Sequence, residues 1–150
     1  MDVETKQIVA LEVSDERTGD GGLLVPLVEQ ARLGCNAVRI LGDDAYDSRL
    51  NFSFLAAKGI EAGIRVRRNS SHRTRGCHAR KMAVMKQLGD PEAWKWRVGY
   101  GERWVTETAF SVFKRVFEEN VMARSFPKIV GEMSLKVSLY NLFISLNHCV

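Results

Sequence analysis

The stretch that decides the fold is NAVRILGDDAYDS, residues 36–48. Its first half is a short, mostly apolar run that contains Val38, Ile40 and Leu41, which is typical of a strand. Its second half is rich in residues that favour loops, so a loop is predicted from Asp43 to Ser48. The rest of the chain can be interpreted outward from this strand and the acidic loop at its carboxyl end.

Helices and strands alternate on both sides of this segment. Apolar residues recur at helical spacing before it, where Asp20 is a predicted helix N-cap and Gly34 a helix stop. A second helix, after the segment, is predicted to close at Gly59. The resulting order is strand 7–13, helix 23–31, strand 36–41, helix 50–58 and a short strand within residues 60–66, which predicts an α/β sheet.

The second half of the chain has a different character. Its periodicity is mostly helical over residues 75–88 and 101–146, apart from a tryptophan-bearing link and a break at Phe126-Pro127. The predicted fold class is therefore α/β with a helical C-terminal part.

The net charge of +4 is unevenly distributed along the 150 residues. The stretch from Ala62 to Gly89 holds eight of the 22 basic residues and none of the 18 acidic ones, which leaves 14 basic and 18 acidic residues elsewhere. Two interpretations stay open, namely a stretch that binds phosphate groups and a solvated loop followed by a helix face. The eight residues are Arg65, Arg67, Arg68, Arg73, Arg75, Arg80, Lys81 and Lys86.

Cysteine usage and hydropathy argue against several classes of protein. The three cysteines lie far apart and form no CxxC pair, so neither a disulfide framework nor a zinc knuckle is supported, and a reducing cytoplasm is the simplest location. His72, Cys77 and His78 are irregularly spaced, which is weak support for zinc. No uninterrupted apolar run approaches about 18–20 residues, so no membrane span is expected.

A stripe of functional side chains is predicted on the helix after Gly101. At about 100° per residue, Arg103, Glu107 and Lys114, with Tyr100 if it is helical, fall within about 60° of one another. The stripe is expected to border the buried face, and flanking cations would keep the carboxylate ionised and suited to Mg²⁺. The alternative is an ordinary salt-bridged helix, because Arg103 and Glu107 are an i,i+4 pair.

The spacing Tyr100-x2-Arg103-x3-Glu107-x6-Lys114 resembles the YREK motif of DDE transposases from bacterial and archaeal insertion sequences. Residues 42–48, GDDAYDS, resemble the second-aspartate block of the same family, which usually has the form Asp-Gly-Ala-Tyr-Asp-Ser. Residues 135–142 also resemble the family, so the resemblance covers nearly the whole chain.

The resemblance implies an RNase H-like fold of the retroviral-integrase type, with Asp43 at a strand end and Glu107 on a helix. These two carboxylates, with a first aspartate, would hold two Mg²⁺ or Mn²⁺ ions for cleavage and strand transfer of DNA. Arg103 and Lys114 would bind phosphates, and Tyr100 the backbone at the element end. The implied partner is double-stranded DNA, at element ends and target, in a prokaryotic, nucleoid-associated cytoplasmic setting. A homodimer is implied for the complete enzyme.

Several positions depart from the family pattern. Asp44 stands where the family usually has glycine, and Asp47 is interpreted as a helix N-cap rather than a ligand. Met1 to Lys6 reads as a turn before a strand that lacks an upstream mate, so the first strand and first aspartate are expected to be absent. The chain is therefore predicted to be the C-terminal portion of the catalytic domain, inactive alone. The alternatives are a non-catalytic DNA-binding remnant, part of a split or frameshifted transposase, and a nuclease of the same fold.

Overall fold

A computed structural model of the chain describes residues 1–14, 19–71, 73 and 76–147. These residues fall into two units. Residues 15–102 form one, here called the sheet unit, and residues 1–14 with 103–150 form the other, here called the helical unit.

Among its described residues, the sheet unit contains a small parallel sheet and four α-helices. Three short 3₁₀ helices occur in the described part of the chain, at Asp20–Gly22, Asp44–Tyr46 and Tyr100–Arg103. In the sheet unit the longer elements are α1 Leu24–Ala31, β1 Arg39–Gly42, α2 Arg49–Ala57, β2 Glu61–Ile64, α3 His78–Gly89 and α4 Pro91–Val98, and in the helical unit α5 Trp104–Phe117 and α6 Phe126–Asn147.

The β1–α2–β2 unit confirms the alternation predicted around residues 36–66. The two strands are parallel, with Arg39 opposite Glu61 and Gly42 opposite Ile64. The facing Arg39 and Glu61 side chains form an ion pair of 2.7 Å. Gly59 ends the turn after α2 in the left-handed region (φ 70°), where glycine carries no side-chain penalty.

The core of the sheet unit lies among α1, α2, α3 and β2. Phe52, Leu55, Ile64 and Val84 are at most 1 % exposed. Leu24 and Val28 of α1 join them, as their helical spacing predicts. Burial of these side chains is the main stabilising contribution to the unit.

The carboxyl-terminal part of the outer edge of β2 is covered by a side chain. The amide of Gln87, which is buried on α3, donates from Nε2 to the Ile64 carbonyl at 2.8 Å and accepts from the Val66 N–H at 2.9 Å. These two backbone groups would otherwise need a third strand, because a buried edge without partners is costly.

The predicted strand over residues 7–13 is wrong. This segment contacts α6 instead, where Asn141 accepts from the Ile8 N–H at 2.8 Å and donates to the Ile8 carbonyl at 2.9 Å. Gln7 adds a hydrogen bond to Ser145. The apolar alternation predicted a strand, but the partner of its backbone is a side-chain amide, so no ladder forms. The turn over residues 1–6 is present and is closed by Asp2, whose N–H donates to the Gln7 carbonyl.

Three helix boundaries differ from prediction. Asp20 begins a 3₁₀ helix and does not cap α1, whose N-cap is Leu23 without a side-chain hydrogen bond. The tryptophan-bearing link is the helix α4, capped by Asp90 with Pro91 in its first turn, a signal that was visible in the sequence. The break near Phe126 lies over residues 118–125, and Phe126 begins α6.

The helix α6 exposes much of its apolar surface. Tyr140 is buried against Phe113 of α5, with ring centroids 6.0 Å apart. The stretch Phe126–Leu146 is long and apolar enough to cross a membrane by length and composition, a weak criterion that soluble core helices also meet. Other apolar side chains of α6 are exposed by 38 to 61 %, namely Leu135, Leu139, Leu142, Phe143 and Leu146.

The edge closure by Gln87 can be tested by mutation. Gln87→Ala leaves a buried carbonyl and a buried N–H without partners, so the free energy of unfolding should fall by about 2–3 kcal/mol. Lys86→Ala, at the exposed neighbouring position, should change it by less than about 0.5 kcal/mol. Urea denaturation followed by circular dichroism measures both, and equal effects would contradict the assignment.

Candidate functional site

The carboxyl ends of β1 and β2 meet at one edge of the sheet. Asp43 follows the last residue of β1, and Arg65 follows the last residue of β2. The Arg65 N–H donates to the Gly42 carbonyl at 3.0 Å, so both residues leave the sheet at the same level. This carboxyl edge is where ligands bind in open α/β sheets.

Asp43 lies at this edge with one oxygen in a structural contact. Its Oδ1 accepts from the Ala45 N–H at 3.0 Å and caps the 3₁₀ helix Asp44–Tyr46. The Asp43 side chain is half-buried, and the neighbouring Asp44 is exposed. The edge therefore presents two adjacent acidic residues.

Asp47 is not the N-cap that the sequence predicts. Ser48 caps α2, with its Oγ accepting from the Asn51 N–H at 3.1 Å. The Asp47 side chain is 0 % exposed and forms a two-bond ion pair with Arg80 of α3. Arg80 Nε donates to Oδ1 at 2.7 Å and Nη2 donates to Oδ2 at 2.9 Å. The helix-start position favoured a cap, but the demand of a buried carboxylate for a cation decided its role.

The same carboxylate holds the loop after β2. Its Oδ2 accepts from the Arg67 N–H at 3.0 Å and from the Ser70 hydroxyl at 3.1 Å. The Ser70 N–H donates to the Arg67 carbonyl at 2.9 Å, which makes residues 67–70 a turn. We call residues 65–71 the basic loop, and Asp47 holds both ends of its turn.

The electrostatics of Asp47 reflect these contacts. Burial acts to raise the pKa of its carboxyl, but hydrogen bonds from Arg80, from the Arg67 backbone and from Ser70 outweigh burial and lower the pKa below its ordinary value. The hydrogen bond to Asp47 in turn raises the pKa of Arg80. The pair is therefore ionised at neutral pH.

The predicted phosphate-binding cations divide into two groups. The described candidates other than Arg80 are exposed. The Arg67 Nε donates to the carbonyl of Asp44, the residue after Asp43, at 3.3 Å. Arg80 belongs to the buried ion pair and is not a surface cation. Arg75 and His72 lie outside the described residues. The exposed candidates are Arg65, Arg67, Arg68 and Arg73.

Asn51 of α2 holds the acidic loop, residues 43–48, through a hydrogen bond from its side chain. Its role was not predicted from the sequence. Its Nδ2 donates to the carbonyls of Gly21 and Tyr46, both at 2.9 Å. It is fully buried, and its Oδ1 has no hydrogen-bond partner among the described residues. The sequence offers no local signal for this role, because the burial of Asn51 and its two carbonyl partners depend on the fold.

The helical unit carries Arg103, Glu107 and Lys114. Arg103 Nη2 lies 3.8 Å from Glu107 Oε1, and Lys114 Nζ lies 2.9 Å from Glu119 Oε1. The Glu107 side chain is 71 % exposed, so the expectation that it borders the buried face is wrong. The buried face of α5 is formed by Val105, Ala109 and Phe113.

Two large aromatic residues flank this polar stripe. Trp104 and Phe110 of α5 are each 59 % exposed. In the sheet unit, Tyr100 is half-buried, and its ring lies 5.0 Å from that of Trp94 at an angle of 43°. Tyr100 belongs to the 3₁₀ helix before α5, so the angular count for an α-helix does not extend to it.

The described residues do not form the expected site for two divalent metal ions. Among them, no three His, Cys, Asp or Glu side chains group closely enough to hold a metal ion. A site for hard divalent cations needs several oxygen ligands at once, so we derive no step through Mg²⁺ or Mn²⁺.

The family model described as the transposase DDE domain matches residues 1–142. No solved structure matches the chain.

The buried Asp47–Arg80 pair predicts a pH dependence of stability. Because the folded-state pKa of Asp47 is lowered, its stabilising effect is complete above the unfolded-state pKa and is lost as pH falls through the folded-state value. Asp47→Asn should reduce the free energy of unfolding by about 3 kcal/mol at pH 7 and by much less at acid pH. The measurement is urea unfolding over a pH series.

The matched control for this experiment is Asp44→Asn, at an exposed position of the same loop. Its effect should be small across the series, because surface charges contribute little to stability. If the loss of unfolding free energy in Asp47→Asn stayed constant down to acid pH, that result would contradict an ionised Asp47–Arg80 pair.

Proposed function

Because the chain belongs to the transposase DDE domain family, we propose that it binds the phosphate backbone of double-stranded DNA at the carboxyl edge of its sheet. The observation that carries the proposal is the basic loop, whose arginines are exposed beside Asp43 in a stretch without acidic residues. Guanidinium groups bind phosphates through paired hydrogen bonds, and DNA presents phosphates at regular spacing. Element ends and target DNA are the proposed partners.

Each candidate side chain has a proposed role. Arg65, Arg67, Arg68 and Arg73 bind backbone phosphates at the sheet edge, and Arg75 extends the set. Arg103 and Lys114 bind phosphates from α5. Both are now paired with exposed carboxylates, and such pairs are weak, so exchange for a phosphate costs little. Tyr100 contacts the backbone near the element end.

The finer family assignment is part of the proposal. The spacing from Tyr100 to Lys114 supports the YREK branch of insertion-sequence transposases. The parallel β1–α2–β2 unit, with Asp43 at a strand end and Glu107 on a helix, is compatible with an RNase H-like fold. A prokaryotic cytoplasm, where the element's DNA lies, is the proposed location, and the homodimer stays a prediction.

The catalytic proposal is limited to two residues. Asp43 and Glu107 are the carboxylates assigned to DNA cleavage and strand transfer. Among the described residues, no three His, Cys, Asp or Glu side chains group closely enough to hold a metal ion. We therefore propose that these 150 residues bind DNA but do not cleave it alone. A purely DNA-binding role is the second candidate, favoured by the 71 % exposure of Glu107 and by its pairing with Arg103.

The DNA-binding proposal predicts a strong salt dependence. Affinity for a duplex should fall linearly on a log–log plot against salt concentration, and the double variant Arg67→Ala/Arg68→Ala should reduce the slope by about two. Fluorescence anisotropy with a labelled duplex measures both quantities. Lys58→Ala, which removes the cation at the C-cap of α2 that pairs with Glu29, should leave the slope unchanged. No binding by the wild-type protein even at low salt would contradict the proposal.

The catalytic proposal predicts no turnover by the chain alone. Duplex carrying the cognate element end should stay intact with Mg²⁺ or Mn²⁺ present, as measured on denaturing gels, and Asp43→Ala and Glu107→Ala should behave like the wild type. Cleavage that is abolished in both variants would overturn the inactivity and support both residue assignments. Cleavage that neither variant affects would overturn both assignments.

A further inference from the structure

Asp47 connects the acidic loop after β1 with the basic loop after β2. We propose that Asp47 is a positioning residue that holds the turn at residues 67–70, so that its arginines meet the same stretch of DNA as Asp43. The inference rests on the proposed DNA binding and adds the device that aligns the two loops.

The geometry concentrates several contacts on one carboxylate. Asp47 accepts from the N–H of Arg67 and the hydroxyl of Ser70, the two ends of the turn. Arg80 Nη2 donates to both Asp47 and the Ser70 hydroxyl, at 2.9 and 3.0 Å. Arg68 and Asn69 form the middle of the turn and are exposed. The turn is therefore fixed at its ends, while Arg68 faces solvent.

Charge explains why such a device is needed. Arg65, Arg67 and Arg68 repel one another, and residues 62–89 contain no acidic residue that could offset them. Arg80 balances the charge of Asp47, so Asp47 holds the loop against this repulsion through its hydrogen bonds to the Arg67 N–H and the Ser70 hydroxyl. The Asp47 side chain is 0 % exposed, so it cannot contact DNA itself. Its effect on DNA must therefore pass through the residues that it holds.

The contacts of Asp47 also bring the basic loop close to the acidic site. Asp47 lies four residues after Asp43, and the Asp44 carbonyl between them accepts from the side chain of Arg67. A phosphate bound by the basic loop is thereby placed close to the carboxylate assigned to catalysis. A loop that had to order itself during binding would lose affinity for entropic reasons.

Limited trypsin digestion and duplex binding test the proposal on the full chain. In Asp47→Asn, cleavage after Arg67 and Arg68 should become about tenfold faster, while cleavage in the helical unit, after Arg115 and Lys128, should not change. Duplex affinity should fall about tenfold at moderate salt. Arg80→Lys keeps the charge but only part of the geometry, and should give intermediate values.

Two further variants distinguish the loss of the positioning contact from general unfolding of the protein. Asp47→Asn/Arg80→Met removes both charges, so it leaves no unpaired cation in the core and should still show the fast cleavage. Glu29→Gln breaks the exposed 2.7 Å pair with Lys58 in the same unit and should match the wild type in both assays. Equally faster cleavage at all sites would show a merely structural role and overturn the proposal.

The two proposals fail in different ways. Wild-type protein that does not bind duplex at any salt concentration would overturn the proposed function, and the positioning inference with it. Normal duplex affinity in Asp47→Asn, beside a wild type that binds well, would overturn the positioning role alone. Unchanged cleavage after Arg67 and Arg68 in every Asp47 variant would do the same.

Discussion

The sheet unit depends on a carboxylate that has no access to water. Asp47 is 0 % exposed, and a buried charge is tolerated only when it is paired and fully hydrogen-bonded. Arg80 supplies the charge, and Arg67 and Ser70 supply further donors. Three segments that are distant in sequence therefore meet at one point, and the loops at the carboxyl edge take their positions from it.

The elements of the fold were predictable wherever a local signal was sufficient. Apolar periodicity predicted α2 and the two strands of the sheet, and Gly59 predicted the end of the turn after α2. The failure at residues 7–13 has a different cause, since strand-like alternation does not determine which partner the backbone will find. Here Asn141 is that partner, and it lies more than 130 residues away.

The candidate site was predictable in its surface residues and not in its interior. Asp43 and the exposed arginines could be named from a strand end and from a charge imbalance. The roles of Asp47 and Arg80 could not, because their pairing spans 33 residues and depends on burial. On α5 the order of the motif could be identified in the sequence, whereas the exposure of Glu107 depends on which turns of the helix are covered.

The amide of Gln87 makes the two outer edges of the sheet unequal. Its contacts with Ile64 and Val66 occupy two backbone groups on the outer side of β2, so fewer groups remain there for an incoming chain to bind. Among the described residues, β1 pairs only with β2. Addition of another strand, whether during assembly or during aggregation, is thereby favoured on the side of β1. A strand added there would lie next to the strand that Asp43 follows.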